Sequence, residues 1–179
     1  MNPHPEHGLL MPILGRMHTA SLRTLFLAFV LSYATAGIGA ALTELGPWYF
    51  SLKHPPWKPP DAAFGVIWST IFTLCAISGW LAWQAADTLA LRRLVLCLFG
   101  VNAVLNIAWS ALYFQLQRPD WALFEVVFLW LSVLALVMGL WRLSRWASLL
   151  LITYWIWVSI AAVLNVQTVM LNGPFRAQS

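Results

Sequence analysis

The sequence predicts an all-α integral membrane protein, a bundle of five transmembrane helices with a long Pro/Trp-rich loop between helices one and two. Three observations carry that reading. Of the 179 residues, 61% are hydrophobic and 9% charged, against about 45–50% and about 25% in soluble domains. The mean hydropathy is +0.75. The apolar residues gather into five runs, each close to the roughly 20 residues that a helix needs to cross a bilayer. The later connections are so short that successive helices must return side by side.

Residues 1–21 are mixed and polar, with His4, Glu6, His7, Arg16 and His18, and show no helical or strand period; they are expected to be a poorly ordered extension. His4 and His7 have no cysteine or carboxylate partner at metal-ligand spacing. The membrane domain is expected over 22–172, with a short tail over 173–179. Helix one, about 22–42, also has the look of a signal peptide around Ala34-Thr35-Ala36. The run stays apolar beyond that point, and Ala36, Gly37, Gly39, Ala40 and Ala41 have the small-residue spacing that lets membrane helices approach closely. A retained helix is the preferred reading.

Trp48 to Asp61 (WYFSLKHPPWKPPD) breaks the pattern. Pro55-Pro56 and Pro59-Pro60 remove backbone donors and force extended or turned chain, so a loop is required. It nevertheless carries Trp48, Tyr49, Phe50 and Trp57 among Lys53, His54 and Lys58, and is expected to lie on the bundle as a lid. Helix two follows over about 64–86, with Phe64, Trp68 and Phe72 one turn apart. Arg92-Arg93 closes a short connection to helix three, about 94–116. There Asn102, Asn106, Trp109 and Tyr113 share one face. Asp120 is a candidate N-cap for helix four, about 121–141. Helix five, about 146–171, carries Tyr154, Trp157, Ala161 and Asn165 on one stripe and ends at Asn172-Gly173-Pro174.

Charge excludes one class. The net charge of +4 is scattered singly or in pairs between apolar runs, which is how membrane anchors and not nucleic-acid patches are arranged. With five spans, the N-terminal side holds Arg16, Arg23, Arg92, Arg93, Arg142 and Arg145, and the other side Lys53, Lys58, Arg118 and Arg176; the positive-inside rule then puts the N-terminus inside. Cys75 and Cys97 fall in or beside apolar runs and read as packing residues.

Hydrolase, nucleotide and metalloprotease motifs are missing from the sequence. The acid well inside a run is Glu125, which reads either as an intramembrane functional group or as a charge near the interface suited to its helix N-terminus. The apolar runs contain no histidine, so no metal is assigned and no cofactor is required. An aromatic ligand held by stacking is easier to build. The inward stripes of helices two, three and five supply its walls, since buried asparagines must find hydrogen bonds away from lipid. Each asparagine also has the alternative role of joining helices.

Trp48-Tyr49, Leu52, Pro55, Trp57, Pro59-Pro60, Phe64 and Trp68 resemble the loop signature of the TspO/MBR family, the translocator or peripheral-type benzodiazepine receptor proteins. The likeness continues through Leu105-Asn106, Trp109, Tyr113-Phe114, Trp121-Ala122-Leu123, Tyr154, Trp157, Leu164-Asn165 and Leu171-Asn172. It implies a five-helix bundle, often a homodimer, in a bacterial cell membrane rather than a mitochondrial outer membrane. It also implies a pocket for porphyrins such as protoporphyrin IX, with Trp57, Trp68, Asn106, Trp109, Tyr154 and Trp157 lining it. The tryptophans matching Trp68 and Trp157 are implicated in light-dependent porphyrin breakdown in bacterial members. An enzyme of that kind and a porphyrin or sterol transporter are the alternatives to a binding protein. Two departures stand out. His54 occupies the usual lysine position before the first loop proline, and the end of helix five lacks the aromatic and basic residues of the cholesterol-recognition pattern.

Overall fold

The computed structural model describes residues 7–175, with side chains from residue 21 onward. Six α-helices run in order: α1 His7–Leu42, α2 Pro47–Ser51, α3 Asp61–Ala85, α4 Leu89–Ser110, α5 Pro119–Trp141 and α6 Arg145–Asn172. No strand occurs among the described residues. Five segments among them are long and apolar enough to span a bilayer: Ser21–Leu42, Asp61–Ala85, Leu89–Gln115, Pro119–Trp141 and Arg145–Asn172. The protein is an integral membrane helix bundle, as its apolar runs predict.

Local chemistry explains where the boundaries differ from the expected ones. The first helix extends back to His7, through sequence without helical period; the expectation for residues 1–6 lies outside the described residues. The start of α3 at Asp61 follows directly on Pro60, whose carbonyl accepts the Ala63 N–H at 2.9 Å. Thr88 caps α4 by accepting the Leu91 N–H at 3.2 Å, which draws the helix start back to Leu89. The N-cap of α5 is Arg118, not Asp120, with Pro119 in the first turn. Proline suits that position because its missing N–H would have no helical partner. Asp120 instead forms an ion pair with Arg118, whose guanidinium also lies 4.2 Å from the Trp121 ring.

Two features break regular helix. Ala111–Gln115 is a π-helical turn continuing α4, and Gln117 adopts a left-handed φ of 51° in the tight turn to α5. The aromatic loop is also not wholly extended. Pro47 starts the one-turn helix α2, which holds Trp48, Tyr49 and Phe50.

Around the bundle the helices form a closed ring in which α1 touches α3 and α4, α3 touches α6, α6 touches α5 and α5 touches α4. At the end away from the loop the ring is solid. Val133, Leu136, Leu140, Ala147 and Leu151 are fully buried there, and Gly139 lets α4 come so close that an added Cβ would stand 2.9 Å from Leu98. Hydroxyls join the helices in this part: Ser78 donates to the Ala147 carbonyl at 2.8 Å and Ser148 to the Val137 carbonyl at 2.6 Å. At the loop end the ring is hollow.

Candidate functional site

The hollow is a cavity of about 510 Å³ enclosed by α1, α3, α4 and α6 beneath the loop, within the roughly 300–1,000 Å³ typical of small-molecule sites. Its walls are mainly aromatic. On α3, Trp68 is the centre of the packing: its ring meets Phe72 at 5.7 Å, Tyr154 edge-on at 6.1 Å and Trp157 at 6.5 Å with perpendicular planes. Phe64 meets Trp157 edge-on at 5.7 Å. Across the cavity, Trp109 stacks on Tyr113 at 5.0 Å, and the π-turn brings the adjacent Phe114 to the wall as well. Such offset and edge contacts fix the rings in place, each worth about 0.5–1.5 kcal/mol beyond burial.

The loop is held over this space from three sides. On its apolar face, Tyr49 and Leu52 pack with Tyr113 and Ala122, and Trp48 sits edge-on to Tyr113 at 6.2 Å. Towards α6, the Asn172 side chain pairs with the backbone of Lys53 in the loop, accepting its N–H at 2.7 Å and donating to its carbonyl at 2.8 Å. Trp57 adds a bond from its indole N–H to Gln167 Oε1 at 2.8 Å. Towards α3, Lys58 Nζ is paired with Asp61 Oδ1 and donates to the Tyr49 hydroxyl at 3.1 Å, while Tyr49 itself donates to Asp61 Oδ1 at 2.7 Å. The His54 ring leans on Tyr49 at 5.1 Å. Burial, and then the positive charge of Lys58, hold the His54 imidazole below its ordinary range; burial and the bond to Asp61 push the Tyr49 phenol up. At neutral pH the mouth therefore carries a neutral imidazole and a neutral phenol beside one ion pair.

Of the residues singled out in the sequence, Phe64, Trp68, Asn106, Trp109, Tyr113, Trp157, Ala161 and Asn165 all line the cavity, together with Tyr49 and Lys58 from the loop. Others do not. Tyr154 is only 2% exposed and stands behind the wall, where it accepts a hydrogen bond from Asn106 Nδ2 at 3.1 Å. Asn102 turns away to donate to Ser132 Oγ on α5 at 2.9 Å, so it joins helices and does not face the cavity. Trp57 is 44% exposed and sits outside. Pro55 is buried in the loop, Pro59 half-buried and Pro60 exposed at the start of α3; with Trp48 and Lys53 they shape or anchor the loop without lining the cavity. Asn165 has two tasks. With its amide oriented to satisfy both neighbours, it donates to the Pro119 carbonyl and accepts the Leu123 N–H, each at 3.1 Å, so it also fastens α6 to the first turn of α5.

The sequence reading omitted one wall entirely. Tyr33, Ala36, Gly39, Ala40 and Thr43 of α1 line the cavity. The small residues among them signal close helix approach, and nothing in that signal distinguishes a packed face from a cavity wall. Glu125 is 7% exposed, with neither carboxylate oxygen hydrogen-bonded to a described residue. The indole N–H groups of Trp109 and Trp157 are likewise buried without a hydrogen-bond partner among the described residues.

Comparison with known proteins extends the resemblance seen in the loop. The sequence model of the TspO/MBR family matches residues 25–171, taking in the membrane part of α1. The chain is 36% identical over 149 residues to Protein CrtK of Rhodobacter capsulatus, covering 83% of this chain and 93% of that protein. It is 33% identical over 156 residues to the tryptophan-rich protein TspO of Chlorobaculum tepidum, covering 83% and 96% respectively. With the translocator protein of Ovis aries it shares 31% over 119 residues, 66% of this chain and 70% of that one.

Proposed function

The chain belongs to the TspO/MBR family, and from that premise we propose that it is a membrane-embedded binding protein for porphyrins of the protoporphyrin IX type. The observation that carries the reading is the cavity under the loop, whose walls carry the rings of Phe64, Trp68, Trp109 and Trp157 with polar side chains such as Asn106, Asn165 and Lys58 set among them. A planar apolar macrocycle gains most of its affinity from such surfaces. Its carboxylates need a cation, and the cavity mouth offers Lys58.

Binding is tested by titrating the purified protein with protoporphyrin IX and following tryptophan fluorescence. Saturable quenching is expected, with affinity falling at least about fivefold in Trp68→Ala or Trp157→Ala, since each loses one stacking face worth about 1–3 kcal/mol. Unchanged affinity in both variants would put the ligand elsewhere.

The family resemblance carries a second reading, light-dependent breakdown of the bound porphyrin, with Trp68 and Trp157, whose ring centroids lie 6.5 Å apart, as redox-active side chains. Illumination of the complex should then bleach the Soret band faster than in free porphyrin. Equal bleaching rates would leave binding alone.

A further inference from the structure

Lys58 and Asp61 are the only charged side chains among the described cavity-lining residues. The groups beside them are Tyr49 and His54 from the loop and Phe64 on α3. Lys58 is well enclosed. Its side chain is 14% exposed against 35% for Asp61, and its ammonium lies 5.4 Å from the Tyr49 ring centre and 5.6 Å from that of Phe64. Two donors, Lys58 Nζ and the Tyr49 hydroxyl, converge on a single oxygen, Asp61 Oδ1. That is the geometry in which an ammonium and a phenol receive a carboxylate, and the carboxylate they receive is the protein's own.

Resting on the porphyrin-binding reading above, we propose that Lys58 and Tyr49 form a carboxylate subsite at the cavity mouth, which Asp61 occupies in the free protein and a ligand carboxylate takes over on binding. Asp61 is then a specificity residue. With Asp61 in place the mouth is neutral overall, and an arriving carboxylate must displace an existing partner before it gains Lys58. A planar ligand without carboxylates meets no such competition. Asp61 therefore narrows the advantage of an acidic porphyrin over a neutral one, and eases release of the acidic ligand by returning to Lys58.

The test compares protoporphyrin IX with its dimethyl ester, which keeps the macrocycle and removes both negative charges. Dissociation constants are measured by tryptophan quenching for the wild type, Asp61→Asn, Lys58→Gln and the double variant. Asp61→Asn should bind the diacid about tenfold more tightly and the diester within about twofold of wild type, as expected for freeing a partly screened cation. Lys58→Gln, which leaves Asp61 negative and without its cation, should weaken the diacid and spare the diester. In the Lys58→Gln background the gain from Asp61→Asn through Lys58 should disappear, leaving only relief of repulsion. Diacid affinity that is unchanged or lower in Asp61→Asn, or a gain shared equally by the diester, overturns the inference, as does a Lys58→Gln variant that keeps wild-type diacid affinity. Diester binding by the wild type would still uphold the aromatic cavity in those cases. If neither compound binds the wild type, the porphyrin reading fails and the subsite fails with it.

Discussion

Replacing Tyr154 with phenylalanine deletes one oxygen from behind the wall of the cavity and leaves the rest of the ring in contact with Trp68 at 6.1 Å. What it removes is the acceptor for Asn106 Nδ2, 3.1 Å away. Both residues are buried, so the cost has two parts. Losing the bond itself is worth about 0.6 kcal/mol on average inside a membrane and at most about 1.7. Leaving the Asn106 amide with one donor unmet adds up to about 1–3 kcal/mol, less whatever the amide recovers by turning towards the cavity that it also lines. A destabilisation of about 1–2 kcal/mol results. Asn106→Ala should cost a similar amount, and the double variant should cost less than the sum of the two by about 0.6–1.7 kcal/mol. Reversible unfolding in mixed micelles measures all three. Because Asn106 presents its amide to the cavity from this anchor, Tyr154→Phe should also weaken protoporphyrin IX binding about two- to tenfold. Strict additivity of the two single variants would show that the bond contributes nothing and that Asn106 is positioned by something else.

Two other perturbations test the loop. Asn172→Ala removes both bonds to the Lys53 backbone, so amide exchange across residues 52–58 should accelerate and the ligand off-rate should rise several-fold; unchanged exchange would mean that the Tyr49 and Trp48 packing alone holds the lid. For His54, the folded-state value lies below the ordinary 6.5, so the native state disfavours the protonated ring. The contribution to stability is full above about pH 6.5 and is lost as the pH falls through that value towards the folded one. Thermal midpoints measured from pH 7.5 down to 5.5 should therefore drop more steeply for wild type than for His54→Gln, and parallel curves would contradict the placement of His54 among Tyr49, Lys58 and Asp61.

Much of the fold was legible because the bilayer imposes one strong rule: backbone polar groups must be satisfied within each spanning segment. The five apolar runs follow from that rule. Element ends were less legible because they depend on single caps. Thr88 and Pro119 each set a helix start that hydrophobicity does not mark, and α2 lies within a stretch whose prolines argue for extended chain. The site shows the same division. Aromatic stripes at helical spacing located three of the four walls, but spacing alone cannot say which neighbour a residue meets. Asn102 shares its face with Asn106, yet it reaches Ser132 on α5, whereas Asn106 reaches Tyr154 on α6 and the cavity. The wall from α1 left no chemical trace, because alanine and glycine look alike whether they touch a helix or a ligand. Asp61 read only as the end of the loop, and its importance comes from two partners that chain order does not bring together.

If the porphyrin sits in the space beneath the loop, filling that space without touching the tryptophan reporter must displace it. Ala161 lines the cavity, and Ala161→Phe retains all twelve tryptophans. A titration with protoporphyrin IX should therefore show quenching in the wild type and a loss of affinity of at least about tenfold in Ala161→Phe, because a ring inserted into the cavity excludes the macrocycle. Wild-type quenching and affinity in a correctly folded Ala161→Phe protein would contradict the account, since the ligand would then be bound on a surface that the cavity does not share.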